Sequence, residues 1–240
     1  MSTRDFLILA AAGLCLGAPA FRAQTTADAD SAANATVELP PAPLYGRITG
    51  DTYASPTGAF WIRIPVLPEL GGIVTDTPNL VTFDDDFSTH CSVGAFPLSP
   101  ELQAEFESRG TQGFLIYFFT KLVMPDFVSR FPGANIEDTG AFLPQFQGGA
   151  MLIFATLPGG SLFAPREAVW TPPGPVVAKR GNLCFVKNHH VFVVSLELAE
   201  RSLQRLTYDL TTPQENALLK RRLLAIVARM EFNAPPGAAR

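Results

Sequence analysis

Three histidines, three cysteines and one run of acids are the side chains from which most protein chemistry would have to be assembled in this chain. His90 adjoins Cys91, which raises thiol–imidazole chemistry, a thiolate nucleophile with a base beside it. Adjacent side chains of a strand point to opposite faces, so His90 is poorly placed to activate Cys91. His189 or His190 would have to reach the thiol across space. His189 and His190 diverge in the same way, no HxxxH or HExxH spacing offers a zinc site, and a solvated hairpin turn is the expected setting. Asp84-Asp85-Asp86 presents oxygens of the kind Ca²⁺ takes, yet it lacks the spaced ligands, turn glycine and distal Glu of an EF-hand loop. A charged turn between Phe83 and Phe87 fits it better. Ser92 and Ser161 stand outside any GxSxG elbow. Gly71-Gly72, Gly148-Gly149 and Gly159-Gly160 precede no GxGxxG or GxxxxGK[ST] helix and read as turns. These residues name no cofactor, no metal site and no catalytic set.

The aromatic load points elsewhere. The chain carries 19 Phe, with Trp61 and Trp170 as its two tryptophans. Most of these rings must be core, but Phe142, Phe146 and Trp170, the last opening the Pro-rich run Trp170 to Pro175, are candidates to line an apolar cleft for a small ligand or a protein partner.

Positioning such residues takes a core, and the composition supplies one. The 240 residues are 47% hydrophobic and only 17% charged, with 18 Lys+Arg against 22 Asp+Glu and a net charge of −4. That excludes an ordinary disordered chain, and the excess of acids argues against a nucleic-acid binder, which needs a dense basic face. Residues 1–23 read as a secretory signal: Arg4, then the apolar run Phe6 to Ala20 ending in Ala18-Pro19-Ala20. The run is shorter than the roughly 20 residues of a spanning helix, so no stable membrane span is expected. Cys15 follows Ala12-Gly13-Leu14, which does not fit a lipoprotein signal. Residues 24–43 read as a disordered linker, in which Asn34-Ala35-Thr36 matches the N-glycosylation pattern, and residues 234–240 as a disordered tail. An exported chain meets an oxidising compartment, so Cys91 and Cys184 are expected to form a disulfide; two separate buried thiols are the alternative.

Between these ends, residues 44–233 read as a single α+β domain. Phe60, Ile62, Ile64 and Val66 alternate with Trp61 and Arg63 as a half-buried strand. Short strands follow at Ile73 to Thr75, Leu80 to Phe83 and Ser88 to Phe96. Pro100 opens a helix with Leu102 and Phe106, and beyond Gly110 a buried helix covers Phe114 to Val128. Asn135 to Leu143 and Ala150 to Leu157 read as strands. Leu183 to Val186 and Val191 to Leu196 form a hairpin whose turn includes Asn188, suited to positive φ. Thr212-Pro213-Gln214-Glu215 reads as a capping box. The stripe Leu219, Leu223, Ile226, Val227 and Met230 then faces the core, with Lys220, Arg221 and Arg229 turned away. The expected architecture is a single antiparallel sheet with packed helices.

The order Tyr53, Ser55-Pro56-Thr57-Gly58, the Phe60 strand ending in Ile64-Pro65, meandering strands, a central helix, a hairpin and a terminal amphipathic helix resembles the PsbP/Mog1-like α+β family. The resemblance covers roughly Tyr45 to Phe232 and implies non-enzymatic binding or assembly roles. The expected function is therefore an exported, periplasmic or extracellular, binding or accessory protein. An exported hydrolase or thiol enzyme with a site assembled only in three dimensions is the alternative.

Overall fold

The computed structural model describes residues 43–137, 140–163, 176–203 and 207–232. The segments expected as a signal peptide (1–23) and a tail (234–240), and nearly all of the expected linker (24–43), fall outside the described residues, as does Trp170. The body is α+β and antiparallel, but it has two sheets rather than the single one expected. The larger runs β4 (Ile73–Thr77), β5 (Leu80–Asp84), β6 (His90–Pro97), β11 (His190–Glu197), β10 (Val177–Lys187), β9 (Ala150–Pro158) and β7 (Asn135–Ile136), with β8 (Ala141–Leu143) also on β9. The smaller has the order β1 (Arg47–Thr49), β2 (Thr52–Ala54), β3 (Phe60–Arg63) and β12 (Met230–Phe232). Strands of three residues are too short to show a period of two, which is why β1, β2 and β12 leave no trace in the sequence pattern. The stretch expected as one strand from Asn135 to Leu143 is likewise divided between β7 and β8.

The large sheet is buried on both faces. One face carries Cys91, Val93, Leu183, Phe185, Phe192 and Val194, and it packs against the small sheet through Tyr53, Phe60 and Ile62 and against α4 (Thr212–Val227) through Leu219, Leu223, Ile226 and Val227. Gly181 lets α4 lie close, since a Cβ there would stand 2.9 Å from Leu223 and 3.1 Å from Leu219. The opposite face carries Phe96, Ile153, Leu157, Cys184, Val191 and Val193, covered by α1 (Pro100–Phe118) and α2 (Met124–Arg130). Ser99 caps α1 by accepting from the Leu102 N–H at 3.3 Å. Gly110, at φ 66° and ψ 172°, breaks that helix where the sequence places a boundary. Phe119–Val123 forms a π-turn before α2, whose first turn contains Pro125, a residue with no N–H to give. The β10–β11 hairpin closes through Asn188 and His189, both at positive φ, the I′ geometry that matches strand twist.

Successive residues of β10 send a cation into each apolar layer. Lys179, with no exposed surface, donates to Glu137 at 2.8 Å and Glu215 at 2.9 Å. The second oxygen of Glu215 accepts from Arg201, on the short α3 (Ala199–Leu203), at 2.9 Å and from the Tyr208 hydroxyl at 2.6 Å. On the other face Arg180 lies 3.7 Å from Glu197, which also accepts from Ser161 at 2.7 Å and from the Leu162 N–H at 3.2 Å. Glu215 thus serves the core, and the helix cap falls one residue earlier than expected. The carboxamide oxygen of Gln214 accepts from the Thr211 N–H at 2.8 Å, with Thr211 as the N-cap.

The expected disulfide does not form: Cys91 and Cys184 are free and buried. They lie in different apolar layers, on β6 and β10, with β11 between them. Two strand spacings are about 9.5 Å, beyond the roughly 7 Å between Cα atoms that a disulfide spans, and the two side chains point to opposite faces.

Two predictions follow from this packing. Glu215→Ala leaves the buried Lys179 short of one carboxylate and should lower the unfolding free energy by about 3 kcal/mol, read from urea denaturation at neutral pH. Burial raises the Glu215 carboxyl pKa, but Tyr208, Lys179 and Arg201 outweigh it and hold the group below its ordinary 4.5. Its stabilising contribution is therefore complete above that value and is lost as pH falls through the folded-state pKa, so the deficit of Glu215→Gln should shrink on acidification. In the mature protein Cys91 and Cys184 should resist Ellman's reagent while folded, and both should react without prior reduction after unfolding in guanidinium chloride; a single disulfide-bonded species would contradict the packing described.

Candidate functional site

The residues that could carry catalysis are dispersed. His90 and Cys91 are neighbours on β6 but project from opposite faces. His90 Nδ1 is paired with the Asp84 carboxylate. His90 shares a face with Ser92, yet both are buried, and no hydrogen bond among the described residues joins them. His190 pairs with Pro97 at the far end of β6, about 23 Å from His90 at strand rise. His189 sits at the hairpin turn. Burial pushes the Cys91 thiol up to about 12, so no thiolate is present at neutral pH. The acidic run is spent locally, because one oxygen of Asp85 accepts from the N–H groups of Phe87, Ser88 and Thr89 at 2.9, 2.6 and 2.9 Å. Among the described residues, no three His, Cys, Asp or Glu side chains gather into a metal-holding group.

The aromatic residues expected to form a cleft are also divided. Phe146 packs edge-on against Phe185, with ring centroids 6.2 Å apart, in the layer under the small sheet. Phe142 lies on β8 opposite Met151, against Gly149 and Thr111 on the α1 side.

A concavity lies elsewhere, where the small sheet meets the edge of the large one. A groove of about 680 Å³ is floored by Ile64 and Val66 and walled by Ile48 and Gly50 on one side and Gly72 and Val74 on the other. Its size is in the range of ligand clefts. Asp51, Arg63 and Arg229 form its polar rim. Two further hollows, of about 230 and 550 Å³, open beside it, and Arg229 lines all three. Arg63 is paired with Asp51 at 2.6 Å, and Arg222 is paired with Glu200. The exposed Arg229 guanidinium takes part in no ion pair among the described residues. Of its lining residues Leu67 is more than half exposed and Ile48 is 40% exposed, and Leu70, Phe87 and Trp61 on adjoining segments are at least 40% exposed. The turn bearing Phe87 is tied to this corner by the Asp86 N–H, which donates to the Leu70 carbonyl. A gathering of exposed apolar residues on a protein is the mark of an interaction surface.

Asp76 sets the closed end of the groove. Its carboxylate accepts from the N–H groups of Tyr45 and Gly46 at 2.9 and 2.7 Å and from the Tyr53 hydroxyl at 2.7 Å. Gly46 must be glycine there, since a Cβ would lie 2.5 Å from both the Tyr53 oxygen and the Ala54 carbonyl. Arg229 was legible only as a charge turned away from the helix stripe. The chain leaves α4 at Val227 and enters β12 at Met230, and that bend is what swings it to the groove.

No family model matches the chain, and no curated protein matches it. Solved structures of similar fold include cyanobacterial PsbP from Synechocystis sp. PCC 6803, at 13% identity and a TM-score of 0.45, covering 76% of this chain and 91% of that one. The Ran-binding protein Mog1p of Saccharomyces cerevisiae is similar at 10% identity and a TM-score of 0.42, covering 80% of this chain and 97% of that one. Both names are those of the family that the order of elements in the sequence resembles.

Proposed function

We propose that this chain is an exported, non-enzymatic binding or accessory protein, with a signal peptide at 1–23 and one folded domain at 44–233, that docks a partner on the groove at Arg229. The observation that carries this reading is the coincidence of three features at one place: a concavity of about 680 Å³, an exposed guanidinium with no acidic partner among the described residues, and the exposed side chains of Ile48 and Leu67 that line it. Apolar surface rimmed by arginine is the composition that favours association, because desolvation of the apolar part drives contact and the charge orients it. The candidate nucleophiles support the same reading: Cys91 has no exposed surface, Ser92 is 4% exposed, and Ser161 is committed to Glu197. Passage of the chain through an export route would place this surface in the periplasm or outside the cell.

A photo-reactive amino acid at position 48 or 67, introduced in the producing cell, tests the docking surface, with position 128 on the distant helical face as the control. The expected result is an adduct of one defined mass at 48 and 67, absent at 128 and lost on Arg229→Glu. Adducts equal at all three positions, or none at 48 and 67, would overturn the proposal. N-terminal sequencing of the same material should begin near Phe21 or Gln24; an intact Met1 species would remove the export part of the reading.

A further inference from the structure

Both walls of the Arg229 groove are strand edges to which no other described strand pairs. Among the described residues β4 of the larger sheet bonds only to β5, and β1 of the smaller sheet only to β2. The β4–β5 hairpin closes on the pair Thr77–Leu80, so Thr77, Thr75 and Ile73 direct their backbone groups to β5, while Val74 and Asp76 direct theirs outward. The Ala95 N–H donating to the Asn79 carbonyl, on the far side of β5, has the same parity. In the smaller sheet the hairpin closes on Thr49–Thr52, so Ile48 is the residue of β1 whose N–H and C=O face away from β2. The Ile64 N–H donating to the Asp51 carbonyl agrees with that phase. Val74 and Ile48 are both wall residues of the groove. Two backbone edges therefore confront each other across an apolar floor, each offering a donor and an acceptor.

The edges run antiparallel. Gly46 is tied to Asp76 at the closed end, and the opposing wall residues further along are Ile48 with Val74 and Gly50 with Gly72. The walls thus approach at Asp76, where a carboxylate already bridges them, and open toward Arg63 and Arg229. An unpaired edge beside an apolar trough is the acceptor for strand addition, in which main-chain bonds supply affinity and alternate side chains supply specificity.

We infer that the groove receives an extended peptide segment of a partner protein, hydrogen-bonded to the free edge at Val74, with alternate apolar side chains on Ile64 and Val66 and a carboxylate on Arg229. This rests on the docking proposed above and adds the chemistry of the occupant. Charge selects the carboxylate: Arg63 already has Asp51, whereas Arg229 has no acidic partner among the described residues, and a guanidinium facing a carboxylate makes a charge-assisted, bidentate contact. Backbone selects the extended form, because a helix has satisfied its own N–H and C=O groups and could not answer those of Val74 and Ile48.

Selection from a random 12-residue peptide library displayed on phage, against the mature protein, tests this. Enriched sequences should alternate β-branched or aromatic residues with polar ones and carry Asp or Glu at one fixed position. Against Arg229→Glu that position should change to Lys or Arg, and the original acidic peptides, made synthetically, should bind at least about tenfold more weakly. N-methylation of alternate peptide amides should abolish binding, and bound peptide should slow amide hydrogen exchange in Gly72 to Thr75. Enrichment of helical or basic sequences by the parent protein, or preferences unchanged by Arg229→Glu, would overturn the inference. If decanoate binds and shifts the amide resonances of the groove while no peptide is enriched, and the cross-links at 48 and 67 persist, the docking surface stands and the peptide occupant falls. If those cross-links are absent as well, both fall.

Discussion

Lys179 and Arg180 occupy adjacent positions of a strand buried on both faces, and adjacent strand positions point to opposite sides. The large sheet is therefore obliged to place one cation in each of its apolar layers. An ammonium or guanidinium there is tolerable only beside carboxylates, and these are drawn from elsewhere in the chain: Glu137 and Glu215 for Lys179, Glu197 for Arg180. Glu215 belongs to the first turn of α4, so the helix cannot slide by a turn without taking the carboxylate away from Lys179. That fixes the level at which α4 ends, hence the level at which β12 joins β3, and hence the place of Arg229. A buried ion pair near one end of the molecule thus determines the geometry of a surface groove through the length of one helix.

The sequence made the apolar architecture legible and the polar one obscure. Strands β5, β6, β9 and the β10–β11 hairpin were readable because dense apolar runs punctuated by turn residues leave few alternatives, and Asn188 marked the turn that closes them. The break at Gly110 and the stripe Leu219, Leu223, Ile226 and Val227 were readable for similar local reasons. The helix cap shifted by one residue because Thr211-Thr212 offers two hydroxyls and Gln214-Glu215 two reciprocal partners, and the choice is made by Lys179, far away in sequence. The second sheet was readable only at β3, since β1, β2 and β12 have three residues each. The groove was not readable either. It is made by the relation of two sheets, and neither Ile48, Val74 nor Arg229 carries a local pattern that announces it.

Where the two sheets meet, they stay separate sheets. Asp76 clamps the start of β1 onto β4 through side-chain bonds rather than a ladder, so the edges touch at one end and part at the other. Aggregation-prone edges are usually blunted by brevity or charge, and here β1 is only three residues long and begins with Arg47. The apolar exposure is instead concentrated beside the open end, on Leu67 and Leu70.

The separation of Cys91 and Cys184 by the thickness of their own sheet has a consequence for biogenesis. Neither thiol can find the other in the native topology, and neither is exposed to an oxidant or an exchanging partner once the layers have closed. The finished body asks nothing of the redox poise around it: no oxidase has to act before it is stable, and no isomerase has to correct it. Its stability is the same asset in a reducing compartment as in an oxidising one, and the only interval in which its cysteines are vulnerable to cross-linking is the time before the sheet is covered.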